Sequence, residues 1–228
     1  MIGREAFYMD YIFIPLCLAL AWLFLDTERQ KKYDTAVLLK GVASFCFVVL
    51  GFRFMGDSRE AVLILIGLVL GCIADVLLNL RFVFPAKGQS IFLVGILVFL
   101  AGHIMYLIAV MGMAASPWIC VAAAAVLTAL LMVWIFRQIT AKMAFRIFGV
   151  VYIGAIVLLN CVACANLITS PSAFTAVFFA GSLLFLVSDI VLILNTFGKE
   201  TKQSLRVTNV MLYYVGQLLI ALSLKFLG

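Results

Sequence analysis

Apolar stretches long enough to cross a bilayer recur along the whole chain. They cover residues 11–26, 35–52, 61–80, 91–110, 117–136, 145–167, 173–195 and 209–227. A membrane-spanning helix needs about 20 mainly apolar residues, and backbone in lipid must satisfy its own polar groups. The expected fold is therefore all-α: a polytopic membrane protein, a bundle of eight transmembrane helices in a single domain over 1–228. Short loops carry turn signals at Gly56-Asp57, Pro85 with Gly88, Ser116-Pro117 and Ser170-Pro171. A soluble domain is excluded by composition. With 67% hydrophobic and 11% charged residues, there is too little charge to cover a water-exposed surface. The first apolar run has no small-residue cleavage site after it and reads as a retained helix rather than a signal peptide.

The formal charge of +6 does not point to nucleic acid, because the basic residues sit in short loops between apolar runs. One face of the alternating topology carries Arg29, Lys31, Lys32, Arg81, Lys87, Arg137, Lys142, Arg146, Lys199, Lys202 and Arg206. The other carries Arg4, Arg53, Arg59 and Lys225. The positive-inside rule puts the first set in the cytoplasm and both termini outside. Short loops point to a bacterial inner membrane. The six cysteines all lie inside apolar runs, so neither a disulfide framework nor a zinc site is expected, and Cys161-x-x-Cys164 reads as packing.

Two halves of the chain share a pattern. Ala74-Asp75-Val76 on the third span resembles Ser188-Asp189-Ile190 on the seventh, 114 positions later, and the same step takes His103 to Gln217. That suggests a 4+4 parallel repeat.

Ionisable groups at membrane depth are costly and face the bundle interior. The chain has Lys40, Asp75 and Asp189, with His103 as its only histidine. Neutral companions are Asn79, Tyr106, Tyr152, Asn160, Ser188, Asn195, Tyr213, Tyr214 and Gln217. Lys40 enters from the cytoplasmic side, about 7–8 Å deep at 1.5 Å per residue. Asp75 and Asp189 fall at a similar depth on helices running toward the cytoplasm, and His103 lies deeper. Each has a plain structural alternative. Lys40 can snorkel to headgroups. His103, Asn79, Asn195 and Gln217 can be hydrogen-bonding glue between helices, and the tyrosines can be interface anchors. The two aspartates are hardest to explain that way, since a Lys–Asp bridge accounts for one and leaves the other. Two buried carboxyls beside a lysine can supply one protonated acid and one anion, the pair that acid–base hydrolysis needs. No GxSxG, HExxH or Gly-rich phosphate loop is present. From the residues alone the reading stops at an intramembrane acid–base site, or alternatively a proton-coupled transporter or lipid flippase.

Three segments resemble the lysoplasmalogenase, or YhhN, family. Gly71-Cys-Ile-Ala-Asp75 is similar to its GD-type motif on the third helix. Gly95-x3-Phe99-x3-His103-x2-Tyr106 resembles the motif on its fourth. Gly181-x3-Phe185-x2-Ser188-Asp189 with Tyr213-Tyr214-x2-Gln217 resembles its last segments. Lys40 matches the family's helix-two lysine, followed here by Gly41 where Pro is usual, and Ala74 stands where Gly commonly precedes the Asp. The resemblance implies an eight-helix hydrolase that cleaves the vinyl ether of lysoplasmalogens, a lysophospholipid substrate, with no cofactor or metal. Asp75 and Asp189 would then be catalytic. Lys40, Asn79, His103, Tyr106, Tyr152, Ser188, Asn195, Tyr213, Tyr214 and Gln217 would bind substrate or tune the carboxyls.

Overall fold

The computed structural model describes residues 11–140 and 143–227. Arg4 and Lys142, counted above among the loop charges, lie outside the described residues. The described chain forms eight α-helices: α1 Phe13–Arg29, α2 Tyr33–Phe54, α3 Arg59–Val83, α4 Gly88–Met111, α5 Pro117–Gln138, α6 Met143–Thr169, α7 Ala173–Phe197 and α8 Gln203–Ser223. Short 3-10 turns at Pro85–Lys87 and Leu224–Phe226 precede α4 and follow α8. Seven helices are long and apolar enough to cross a membrane, the make-up of an integral membrane protein. The exception is α1, whose 17 residues rise only about 26 Å against a hydrocarbon core of about 30 Å.

Local signals set the helix starts. Ser58 opens α3 by accepting the Ala61 N–H at 3.1 Å. Ser172 and Thr175 form a reciprocal capping box on α7, which satisfies two amides that otherwise lack partners. Pro117 sits in the first turn of α5, where its missing N–H costs nothing. The largest departure from the sequence expectation is α8, which begins at Gln203 rather than 209. An apolar run marks the membrane core, whereas a helix continues for as long as its polar turns find partners. Here Arg206 finds Glu28 of α1.

Glycines set the closest helix crossings. A Cβ built on Gly67 of α3 would lie 3.0 Å from the Gly102 carbonyl of α4 and collide with the Tyr106 ring. A Cβ on Gly181 of α7 would lie 2.8 Å from the Gly216 carbonyl of α8 and 3.0 Å from Ile220. Small residues allow such close approach, which drives helix association where lipid removes the hydrophobic incentive. Gly181, Gly216 and Ile220 each follow Gly67, Gly102 and Tyr106 by 114 positions, the separation of Asp75 and Asp189.

The buried polar groups sit within a largely apolar core, and large apolar side chains also cover the outside. Ser44, Asp75, His103, Ser188, Asp189 and Gln217 are buried, whereas Leu38, Phe45, Trp118 and Leu130 are exposed. Helix α5 packs chiefly on α6, at the rim of the bundle.

Candidate functional site: a cavity walled by two aspartates

One cavity opens among α2, α3, α4, α6, α7 and α8, with about 1040 Å³ of unfilled space including its mouth. Its walls come from the starts of α2, α4, α6 and α8 and the ends of α3 and α7, the end of the bundle that bears the basic loops. Asp75 and Asp189 both line it.

The two carboxyls have unlike surroundings. Asp75, 1% exposed, is fully engaged. Lys40 Nζ lies 3.0 Å from its Oδ1. Ser44 Oγ donates to Oδ2 at 2.6 Å, and Tyr213 OH donates to the same oxygen at 2.5 Å. Lys40 also lies over the rings of Phe24 and Tyr213. It therefore faces inward rather than snorkelling to the headgroups. A buried charge is tolerable only when paired and hydrogen-bonded, and two helices, α2 and α8, supply what Asp75 needs. Asp189, 3% exposed, accepts one hydrogen bond, from Tyr152 OH to Oδ2 at 2.7 Å. Among the described residues it has no salt-bridge partner.

A string of hydrogen bonds leads away from Asp75. Tyr213 OH receives Gln217 Nε2 at 3.5 Å, and Gln217 Oε1 accepts from Tyr106 OH at 2.9 Å. Tyr214 OH lies 3.1 Å from Ser44 Oγ and 3.2 Å from the Lys40 carbonyl oxygen. Its single proton serves one of them at a time. Tyr106, Tyr214 and Gln217 thus buttress Asp75 from behind the cavity wall.

His103 stands apart from the carboxylates. Its Nδ1 lies 2.8 Å from the Phe99 carbonyl, which makes Nδ1 the protonated nitrogen. Its Nε2 is buried with no hydrogen-bond partner among the described residues. The rings of Phe99, Tyr106, Tyr152 and Phe185 surround it, with Phe185 edge-on at 4.5 Å.

Four residues singled out in the sequence have structural duties. Asn79 lines the cavity but donates to the Asp75 backbone carbonyl at 2.9 Å, within its own helix. Ser188 is locked to Asn209 of α8, donating to its carbonyl at 3.0 Å and receiving Nδ2 at 2.8 Å. Asn195 is outside the cavity wall and accepts the Lys202 N–H at 2.7 Å, so it ties the end of α7 to the start of α8. Asn160 holds α6 to α7 through Ser182.

Several residues of the site were not singled out from the sequence. Ser44 follows Lys40 by four positions and so shares its helix face, a signal that could have found it. Asn209, Arg206 and Arg81 line the cavity from the end turns of α3 and the first turns of α8, at or beyond the edge of the apolar runs, where a basic residue reads only as a topology determinant. Arg206 makes a bidentate pair with Glu28 at 2.9 and 2.7 Å and reaches Asn209 Oδ1 at 3.3 Å. Among the described residues no three His, Cys, Asp or Glu side chains converge as a metal set.

A model of the YhhN family matches residues 35–224, from α2 to just past the end of α8. The chain belongs to the YhhN family. The segments that carry the YhhN resemblance, around Asp75, His103, Asp189 and Tyr213, all fall inside that match. No curated protein matches the chain, and no solved structure does.

Proposed function

We propose that this YhhN protein is a membrane hydrolase that cleaves the vinyl ether of lysoplasmalogens, releasing a fatty aldehyde and a glycerophospho-alcohol. One observation carries the reading: two buried carboxyls share a cavity, one with a lysine at 3.0 Å and the other without a cation among the described residues. Membership of the family agrees with a membrane hydrolase.

The unlike surroundings divide the labour. Asp75, charge-paired with Lys40 and bonded to Ser44 and Tyr213, is the anion. Asp189 has no counter-ion among the described residues, and in this reading it is the carboxyl that carries the proton. In the first step Asp189 gives that proton to the alkene carbon remote from the ether oxygen, a C–H bond forms, and the neighbouring carbon becomes an oxocarbenium ion. The Asp75 carboxylate stabilises this cation, as the second carboxylate does in glycoside hydrolysis. Water then bonds to the cationic carbon and returns a proton to Asp189. The hemiacetal collapses: its hydroxyl proton passes to the departing glycerol oxygen, the C–O bond breaks, and aldehyde is left. The net change is consumption of one water. The aromatic walls formed by Phe92, Phe99 and Phe148 suit an alkenyl chain.

The 114-residue spacing of the glycine crossings supports a parallel repeat in which each four-helix half brings one carboxyl to the cavity. The basic loops at the cavity end favour a cytoplasmic mouth in a bacterial inner membrane.

The test is aldehyde release from a 1-alkenyl lysophospholipid by purified protein in detergent, with choline and ethanolamine headgroups. Release by the wild type and its loss in Asp189→Asn is the expected result. If folded wild-type protein leaves both lipids intact yet moves a lipid or protons across vesicles, the reading fails and a transporter takes its place.

A further inference from the structure

Three cations line the cavity: Lys40, Arg81 and Arg206. Lys40 is paired with Asp75 and Arg206 with Glu28. Among the described residues Arg81 has no carboxylate partner, and its buried Nε has no hydrogen-bond partner. Its guanidinium lies over two rings, Phe82 at 4.6 Å and Phe92 at 4.5 Å. Stacking of this kind fixes the guanidinium plane and leaves its N–H edge as the free recognition surface. A solvated loop arginine would have neither the ring contacts nor a buried orphan donor.

We propose that Arg81 is the seat of a phosphate group, bound edge-on by its guanidinium, and that in the hydrolase reading above this group is the phosphodiester of the lysophospholipid. The chemistry is matched: a planar fork of donors recognises two phosphate oxygens at once, which an ammonium cannot do. The placement is matched too. Arg81 follows Asp75 by six residues on α3, about 9 Å along the axis toward the loop end. A phosphate held there sets the glycerol backbone pointing inward, with the vinyl ether level with the carboxyls. Lys40, which the family resemblance offers as a residue that binds substrate or tunes the carboxyls, is occupied by Asp75. Arg206 has spent its bidentate edge on Glu28.

The experiment is equilibrium binding to purified protein in detergent. The ligands are an uncleavable 1-alkyl lysophosphatidylcholine and the 1-alkylglycerol of the same chain, with glycerophosphocholine and inorganic phosphate as competitors. Wild type, Arg81→Gln and Arg81→Lys are compared. Wild type is expected to prefer the phosphate-bearing lipid by about tenfold or more, the scale of hydrogen bonds to a charged group. Arg81→Gln should erase that preference, and Arg81→Lys should keep only part of it. Competition by glycerophosphocholine alone identifies a headgroup site, and equal competition by inorganic phosphate identifies a site for free anion. Equal wild-type affinity for the two lipids overturns the proposal however the variants fold, and so does a preference that survives in Arg81→Gln. Aldehyde release separates this from the functional reading. An inactive wild type with Arg81-dependent binding removes the hydrolase and keeps the phosphate seat. An active wild type with no such dependence does the reverse.

Discussion

Lys40 Nζ stands 3.0 Å from Asp75 Oδ1 inside the bundle, where neither side chain is more than a tenth exposed. The pair is completed by Ser44 and Tyr213 on the other carboxylate oxygen. Removing one member of such a pair strands the other charge, at a cost of about 3–5 kcal/mol. Lys40→Met is therefore expected to lower the thermal midpoint in detergent by several degrees. Lys40→Met with Asp75→Asn should regain much of that loss, because no uncompensated charge remains, yet stay inactive. A double variant no more stable than Lys40→Met would show that the pair does not act as a unit.

Asp189→Asn should behave differently. Asparagine keeps an acceptor for Tyr152 OH, now 2.7 Å from Oδ2, and no ion pair is lost. Folding should hold, while aldehyde release falls by about a hundredfold or more, the scale of general acid catalysis. Melting curves and aldehyde assays on one preparation check both halves of this expectation.

Tyr213→Phe removes the hydroxyl that links Asp75 to Gln217 but keeps the ring against Phe99 and Phe185. A loss of about 1–2 kcal/mol in stability is expected, with kcat lowered more than KM is raised. The outcome that contradicts this is wild-type kcat in a folded variant.

The glycine crossings predict a matched pair of steric effects. Gly67→Ala and Gly181→Ala each put a methyl against a neighbouring helix, at 3.0 and 2.8 Å from a carbonyl oxygen. Both should destabilise by about 1–3 kcal/mol, as overpacking does. Gly56→Ala, with nothing within 4 Å of its Cβ, should be near neutral. Unfolding midpoints of the three variants decide it.

Many of the polar groups gathered at the candidate site stood out before any fold was known, and the reason is physical. Lipid penalises an unpaired polar group, so Lys40, Asp75, Asp189 and His103 stood out against apolar runs. The eight helices were legible for the same reason, although the apolar run of 209–227 understated α8, whose first turns are polar and held by Glu28. Asn195 shows the limit. It has the residue type of a site group, but its partner is a loop amide.

The sequence by itself determined the helices and which polar groups lie within their apolar runs, because hydropathy is a local property. Only the tertiary structure decided which groups meet. Lys40 chose Asp75 over Asp189, Arg206 chose Glu28 on α1, and Arg81 was left lining the cavity with no acid partner among the described residues. Those outcomes depend on the rotation of each helix about its axis and on which helices the glycine crossings bring together, and both are set by contacts between residues far apart in the chain.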